Sequence, residues 1–140
     1  MVQQISVFAE NTKGAMRRIT DAIREADVNI IALVTNDSAE FGIVRMIVDD
    51  SEKAAKALKD AGYQVHCDDV LGVEMDDTPG GLNAVLKAIE DSNTNIDYLY
   101  ISYDRTRSMP IAIIHTQELP ELEECLTYNH FHMFNEGMPA

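Results

Sequence analysis

The residues best suited to chemistry form a short pattern that occurs twice. Asn11, Thr12, Lys13 and Gly14 stand between a strand-like run and a helix-like run, and Asn29 follows Gly14 by fifteen residues. Sixty-six residues further on, Asp77, Thr78, Pro79 and Gly80 repeat the pattern, with Asn95 in the place of Asn29. A helix start leaves four backbone N–H groups without intrahelical partners and carries roughly half a positive charge, so a loop opening onto it suits a carboxylate or a phosphate. Glycine there lets a ligand approach the backbone; Gly80 followed by Gly81 makes the second loop the more permissive, whereas Gly14 is followed by Ala15. The amides of Asn29 and Asn95 offer donor and acceptor together, enough to meet an ammonium as well as a carboxylate. Set near the loop, they suit an α-amino acid. Each group also has an ordinary structural role: Asn11 and Asp77 in turns or caps, Gly14 and Gly80 in turns, Asn29 and Asn95 at strand entry.

Other groups with chemical potential are fewer. Lys13, Arg17 and Arg18 crowd the start of the first helix, the unfavourable end for positive charge, and could fix an anionic ligand or an acidic partner. Their second-copy equivalents, Pro79, Asn83 and Ala84, are uncharged. Tyr98 and Tyr100 fall on one face of a strand, with Tyr103 nearby, and could wall an apolar side chain or form a sheet contact. Cys125, His130 and His132 are a metal-like set, although zinc would need His115, His66 or Cys67 to join them. No nucleophile motif, phosphate loop or dinucleotide fingerprint is present, so no catalytic residue is assigned and no cofactor is expected.

The elements that position these residues follow from periodicity. At the offset of sixty-six, Met16 meets Leu82, Ile19 meets Val85, Ile23 meets Ile89 and Asp27 meets Asn93, so the chain is two copies of one unit. In the first copy, residues 4–9 read as a strand, and Met16, Ile19, Ala22, Ile23 and Ala26 form the stripe of an amphipathic helix over 15–26. Asp27 and Asn93 end the first helix of each copy, both types tolerating the left-handed conformation. Residues 29–35 and 41–48 make a hairpin through the polar turn 36–40, Ser51 or Asp50 caps a second helix that stops at Gly62, and 63–67 is a fourth strand. The second copy follows with strand 70–75, helix 81–92, hairpin strands 95–103 and 110–115, helix 119–126 and a short strand around 130–134 before a frayed end. Its turn at 104–108 is one residue longer, making the offset sixty-seven beyond it.

The order βαββαβ, twice, predicts an α+β fold: two ferredoxin-like units, each an antiparallel sheet with two helices on one face. The units are expected at residues 1–68 and 69–140, with Asp68 and Asp69 as the only linker. Ile30, Ala32 and Val34 alternate with Ile31 and Leu33, so the sheet face away from the helices is expected to be buried too.

Composition narrows the partners. Eleven Lys plus Arg against twenty-four Asp plus Glu give a net charge of −13, which repels nucleic acid and anionic membrane surfaces. No apolar run approaches the ~20 residues of a spanning helix, the start lacks the pattern of a signal peptide, and two cysteines make no disulfide framework. A reduced, cytoplasmic setting is expected.

Asp77-Thr78-Pro79-Gly80-Gly81-Leu82, closed by Thr94-Asn95-Ile96, resembles the ACT-domain pattern, and Asn11-Thr12-Lys13-Gly14 with Val28-Asn29-Ile30 is a looser copy. The whole chain is similar to small stand-alone bacterial proteins made of two ACT domains. That resemblance implies a non-catalytic regulatory module that binds an amino acid or similar small carboxylate at the interface of the two ACT units. Carried over by position, the ligand-binding candidates are Asn11, Gly14, Ala15, Met16 and Asn29 in the first copy, and Asp77, Gly80, Gly81, Leu82 and Asn95 in the second. Lys13 departs from the usual proline, and Asp27 and Asn93 from the usual glycine. Asp77 would receive an ammonium and repel a carboxylate, so the two sites are not equivalent. A homodimer or larger assembly and a partner enzyme are the expected routes of signalling. The alternatives are an assembly scaffold with no ligand and a metal-binding protein using the C-terminal Cys and His residues.

Overall fold

The structure, a computed structural model, describes residues 1–10, 12–37 and 41–135. The candidate Asn11, most of the first hairpin turn and the frayed end lie outside the described residues. The chain divides into two compact units, Gln3–Asp68 and Met1–Val2 with Asp69–Ala140.

The first unit contains β1 (Val2–Glu10), α1 (Ala15–Glu25), β2 (Ile30–Asp37), β3 (Phe41–Val48), α2 (Ser51–Asp60) and the start of β4 (Gln64–Glu74). Its strands lie in the order β2-β3-β1-β4, with β3 antiparallel to both neighbours. The expected stripe of α1 is the buried one: Ile19 and Ile23 pack with Ile5, Val7, Val44 and Met46 from the sheet and with Ala54 and Leu58 from α2. Asp50 Oδ1 accepts from the Lys53 amide at 3.2 Å, so of the two candidate caps for α2 it is Asp50 that acts.

The second unit continues β4 and adds α3 (Gly81–Asp91), β5 (Tyr98–Asp104), β6 (Met109–His115), α4 (Leu119–Tyr128) and β7 (Met133–Phe134). Here β6 lies between β5 and β4, antiparallel to both, and β7 pairs with β4. Val85, Ala88 and Ile89 of α3 meet Leu71, Val73, Ala112 and Ile114 from the sheet and Leu122 and Leu126 from α4. Each unit is the ferredoxin-like arrangement that the order of elements predicts.

Asp27 and Asn93 have φ of +60° and +56°, each just past a helix end, where their side chains tolerate the left-handed region as expected. Both faces of each sheet carry buried residues. Gln4, Ser6 and Ile47 in the first unit, and Val70, Ile111 and Ile113 in the second, are buried outside the helix-packed clusters. No helix of the described residues is long and apolar enough to cross a membrane.

Three expectations need correction. Asp68 and Asp69 are not a linker: β4 runs unbroken through both, because no glycine or proline interrupts the chain between Cys67 and Glu74 until Gly72, which an extended strand accommodates. The last strand is only Met133–Phe134, since His130 has φ of +69° and cannot continue a strand. The offset beyond the second hairpin turn is sixty-eight, not sixty-seven: Ile5 pairs with Met46 as Leu71 pairs with Ile114, and 114 less 46 is 68.

Candidate functional site

Both helix starts have the geometry the repeated pattern implies. Gly14 and Gly80 occupy the N-cap positions of α1 and α3 with φ of +79° and +92°, and each carbonyl accepts the first helical bond, from Arg18 at 3.1 Å and from Ala84 at 3.0 Å. A left-handed turn strains an L side chain, which explains glycine at both. Having glycine at the N-cap, neither helix has a side-chain cap bond from that residue, and the first amide of each is met by the loop backbone instead, Ala15 donating to the Thr12 carbonyl at 3.2 Å and Gly81 to the Thr78 carbonyl at 3.0 Å.

In the first unit a cavity of about 220 Å³ opens at this point. Ala9, Met16, Ile19 and Val44 supply its apolar wall, and Glu10, Thr12 and Thr35 its polar one, with Gly14 and Ala15 at the helix start. Met16 is the exception on the apolar stripe of α1: it leaves the core and is 38% exposed, facing this cavity. Three of the first-copy candidates, Gly14, Ala15 and Met16, are thus brought together.

Arg18 closes over the loop. Its Nη1–H donates to the Lys13 carbonyl at 3.1 Å and its Nη2–H to Thr12 Oγ1 at 3.0 Å, and Nη1 lies 3.1 Å from where a Cβ on Gly14 would sit. The basic cluster is therefore partly a strap for the loop. Arg17 is turned away, 3.8 Å from Asp21 one helical turn on.

Asn29 does not join this site within its own unit. It follows the far end of α1, eleven residues or roughly 16 Å of helix away from Gly14. There it is tied to Asp49 by two bonds: its amide donates to the side-chain Oδ1 at 3.0 Å and its carbonyl accepts from the Asp49 amide at 3.1 Å. The side chain borders a separate, shallow hollow of about 520 Å³ shared with Arg24 and Asp27. Asn95 stands likewise beyond α3, its carbonyl accepting from Thr116 Oγ1 at 2.6 Å. The expected nearness of loop and asparagine within one copy is thus corrected, because a full helix separates them. Nor are the asparagines in strands: β2 begins at Ile30 and β5 at Tyr98.

The second loop differs in kind. A Cβ on Gly81 would collide with the Asp76 carbonyl oxygen and lie 3.0 Å from its carbon. Gly81 is needed because the end of the preceding segment packs against it, not because it leaves room for a ligand. Gly80, by contrast, has open space around it. Asp77 is exposed, and Leu82 packs against the hydrophobic cluster of its unit.

Several of the remaining groups find structural partners. Tyr98 stacks on His115 across the hairpin, rings 4.8 Å apart and 6° from parallel, and His115 Nδ1 lies 2.9 Å from Asp97 Oδ2. His132 Nε2 is 3.5 Å from Glu74 Oε2, and the Cys125 thiol donates to the Ala88 carbonyl at 3.6 Å. Among the described residues no group of three or more His, Cys, Asp or Glu is arranged to hold a metal ion. One polar cluster had no local signal in the sequence: Glu74, its side chain 4% exposed, receives Arg107 Nε–H on both oxygens at 2.6 and 3.0 Å. The turn carrying Arg107 is held by Asp104 Oδ1, which accepts from the amides of Thr106 and Arg107.

Comparison with curated protein sequences returns no match. Among solved structures, a Bacteroides thetaiotaomicron protein is 29% identical with a TM-score of 0.90, covering 97% of this chain and 93% of that one. The regulatory subunit of aspartate kinase from Thermus thermophilus has a TM-score of 0.67 at 17% identity, covering 91% and 90% of the two chains. Its counterpart from Thermus flavus has a TM-score of 0.60 at 15% identity, covering 89% and 92%. At such identities the likeness to the aspartate kinase subunits is one of fold. The model of the ACT domain pair family matches residues 1–137. With that match over nearly its whole length and two ferredoxin-like units to account for it, the chain belongs to the ACT domain pair family.

Proposed function

We propose that the chain is a regulatory module without catalytic activity of its own, which binds an amino acid or similar small carboxylate and signals through association with a partner. The observation that carries this reading is the cavity of about 220 Å³ at the start of α1, bordered by the Gly14 helix start, an exposed Met16 and Thr12, whose hydroxyl accepts from Arg18. The helix start and Arg18 suit an anionic group, and the apolar wall suits a side chain. Membership of the ACT domain pair family supports a sensing role, and the fold shared with the two Thermus regulatory subunits agrees with it. Gly14, Ala15 and Met16 are the residues proposed to border the ligand. A homodimer or larger assembly, a partner enzyme and a cytoplasmic location complete the proposal. Switching requires the ligand to bind two states of the assembly unequally.

One observation favours a structural role for the second loop: the packing of Gly81 against the Asp76 carbonyl. Under a pure scaffold reading both loops are structural and no small molecule stabilises the protein.

A thermal-shift panel of the protein amino acids and common metabolic carboxylates tests the proposal. A ligand at 100 times its Kd adds about 2.7 kcal/mol, which raises the midpoint by roughly 5 to 10 °C at this chain length. A selective rise supports the sensor; a flat panel leaves the scaffold. Light scattering with and without the stabilising compound then tests whether occupancy changes the assembly.

A further inference from the structure

The two copies differ at the turn that leads from the second helix of each into its last strand. In the first unit the Gly62 amide donates to the Lys59 carbonyl at 3.0 Å and the Tyr63 amide to the Leu58 carbonyl at 3.0 Å. In the second, at the offset of sixty-eight, the His130 amide donates to the Thr127 carbonyl at 3.0 Å and the Phe131 amide to the Leu126 carbonyl at 3.0 Å. The turns match bond for bond, and each is closed by a left-handed residue, Gly62 with φ of +92° and His130 with φ of +69°. Glycine takes that conformation freely, whereas a histidine side chain is strained in it. The second copy therefore enters its last strand through a strained hinge, and the first does not.

The strand beyond the hinge is held by few bonds. In the first copy the chain runs on from Gln64 through β4 without a break, whereas β7 is Met133–Phe134 alone. It lies on β4 through the pairs Gly72 with Phe134 and Val73 with Met133, and through the Glu74 amide, which donates to the His132 carbonyl at 2.9 Å. Its place on β4 is nevertheless shaped for it. Gly72 is buried, and a Cβ there would lie 3.1 Å from Phe134 Cβ and Cδ1, so the phenylalanine takes the room that the missing side chain leaves. Phe131 and Met133 pack against the hydrophobic cluster, and His132 Nε2 lies 3.5 Å from Oε2 of the buried Glu74. An occupant of this edge needs an aromatic side chain opposite Gly72 and a donor beside Glu74, and a second copy of the chain carries that sequence.

Resting on the homodimer of the regulatory reading, we infer that β7 is an exchangeable strand: it leaves its own β4 at the His130 hinge and pairs along Gly72–Glu74 of a second copy, which returns its own β7. Asn129 to His132 join α4 to β7 and, extended, reach roughly 13 Å, enough to carry the strand off its own sheet. Every contact of β7 is made again in the exchanged pair, so the contact energies cancel between the two forms. What remains is the relief of His130, which passes from the left-handed region to an extended one in each chain, set against the entropy of association. A short hinge under strain drives exchange in this way. The exchanged dimer therefore grows with concentration, and the residue at the hinge sets how readily.

Paired cysteines read the exchange directly. Val73 and Met133 are cross-strand partners, a spacing that a disulfide bridges. In a Cys67→Ser, Cys125→Ser background, Val73→Cys with Met133→Cys closes within one chain when β7 is at home and between chains when it is exchanged. After equilibration at millimolar concentration and mild oxidation, the expected result is a disulfide-linked dimer on a denaturing gel, lost on reduction and absent from either single-cysteine variant. Light scattering of the unmodified chain against His130→Gly is the second reading: the glycine of the first copy removes the strain and raises the dimer dissociation constant by at least about tenfold. A disulfide confined within single chains at every concentration overturns the inference, as does a dimer that His130→Gly leaves unchanged; a dimer still seen by light scattering then keeps the homodimer and moves it to another surface. A folded cysteine variant that forms no disulfide overturns the inference too, because β7 then does not lie opposite β4. A melting curve shows whether that variant folds, and where it does not, His130→Gly decides alone. A chain that stays monomeric throughout overturns both the exchange and the homodimer.

Discussion

Gly81→Ala separates a packing glycine from a ligand-access glycine by the sign of its effect on stability. Gly81 is the first residue of α3, and in an ordinary helical position alanine is better than glycine by up to about 1 kcal/mol. Here the new methyl would run into the Asp76 carbonyl oxygen, a backbone atom that cannot swing aside as a side-chain tip does. Relieving the overlap means moving the segment between β4 and α3, and overpacking of this kind costs roughly 1–3 kcal/mol, occasionally more. With about 3 kcal/mol lost to the clash and up to about 1 regained from propensity, the net loss is about 2 kcal/mol, or roughly 4–8 °C in Tm at this length. Urea denaturation followed by far-UV circular dichroism measures it. If Gly81→Ala is neutral or stabilising, the carbonyl does not occupy the helix start, and the structural reading of Gly81 fails with it.

Other outcomes follow from the same structure. Arg107→Ala leaves the nearly buried Glu74 carboxylate without its guanidinium; because Arg107 is 44% exposed, solvent screens part of the loss, and about 1–3 kcal/mol is expected in urea titrations, diminished in 1 M salt. Asp27→Gly and Asn93→Gly each stabilise by up to about 1 kcal/mol, since φ near +60° strains any side chain, and a destabilised pair of variants would contradict the left-handed helix ends. Asp50→Ala costs about 1 kcal/mol through the lost cap on α2, whereas Ser51→Ala, at the other candidate, is nearly neutral by the same denaturation assay.

What could be read from the sequence is what local physics decides. The two helices per unit follow from apolar spacing; Asp27 and Asn93 follow from the few residue types that accept positive φ; and the repeat itself carried the fold, since a duplicated βαββαβ order has few packings. The glycines at helix starts were legible as turn residues, but their different uses were not. Gly14 and Gly81 differ in what lies against them, an arginine tip in one case and a backbone carbonyl in the other, and neither neighbour is visible in the pattern. Asn29 and Asn95 looked close to their loops because fifteen residues of sequence conceal a rigid helix of eleven. The units do divide between Asp68 and Asp69, but the linker reading misled because acidic residues are uncommon in strands, whereas here the strand simply continues. The Glu74–Arg107 pair joins residues thirty-three apart, a separation at which only tertiary structure decides who meets whom.

The most direct measurement on the central claim is a titration of the uniformly ¹⁵N-labelled chain with millimolar L-leucine, followed by amide chemical shifts. The account predicts saturable shifts centred on Gly14, Ala15, Met16 and Arg18 at the start of α1, with the amides of Gly80, Gly81 and Leu82 left in place. If saturating L-leucine and each of the other protein amino acids leave Gly14 to Arg18 unmoved, the cavity at the start of α1 is not a ligand site and the sensor reading is wrong.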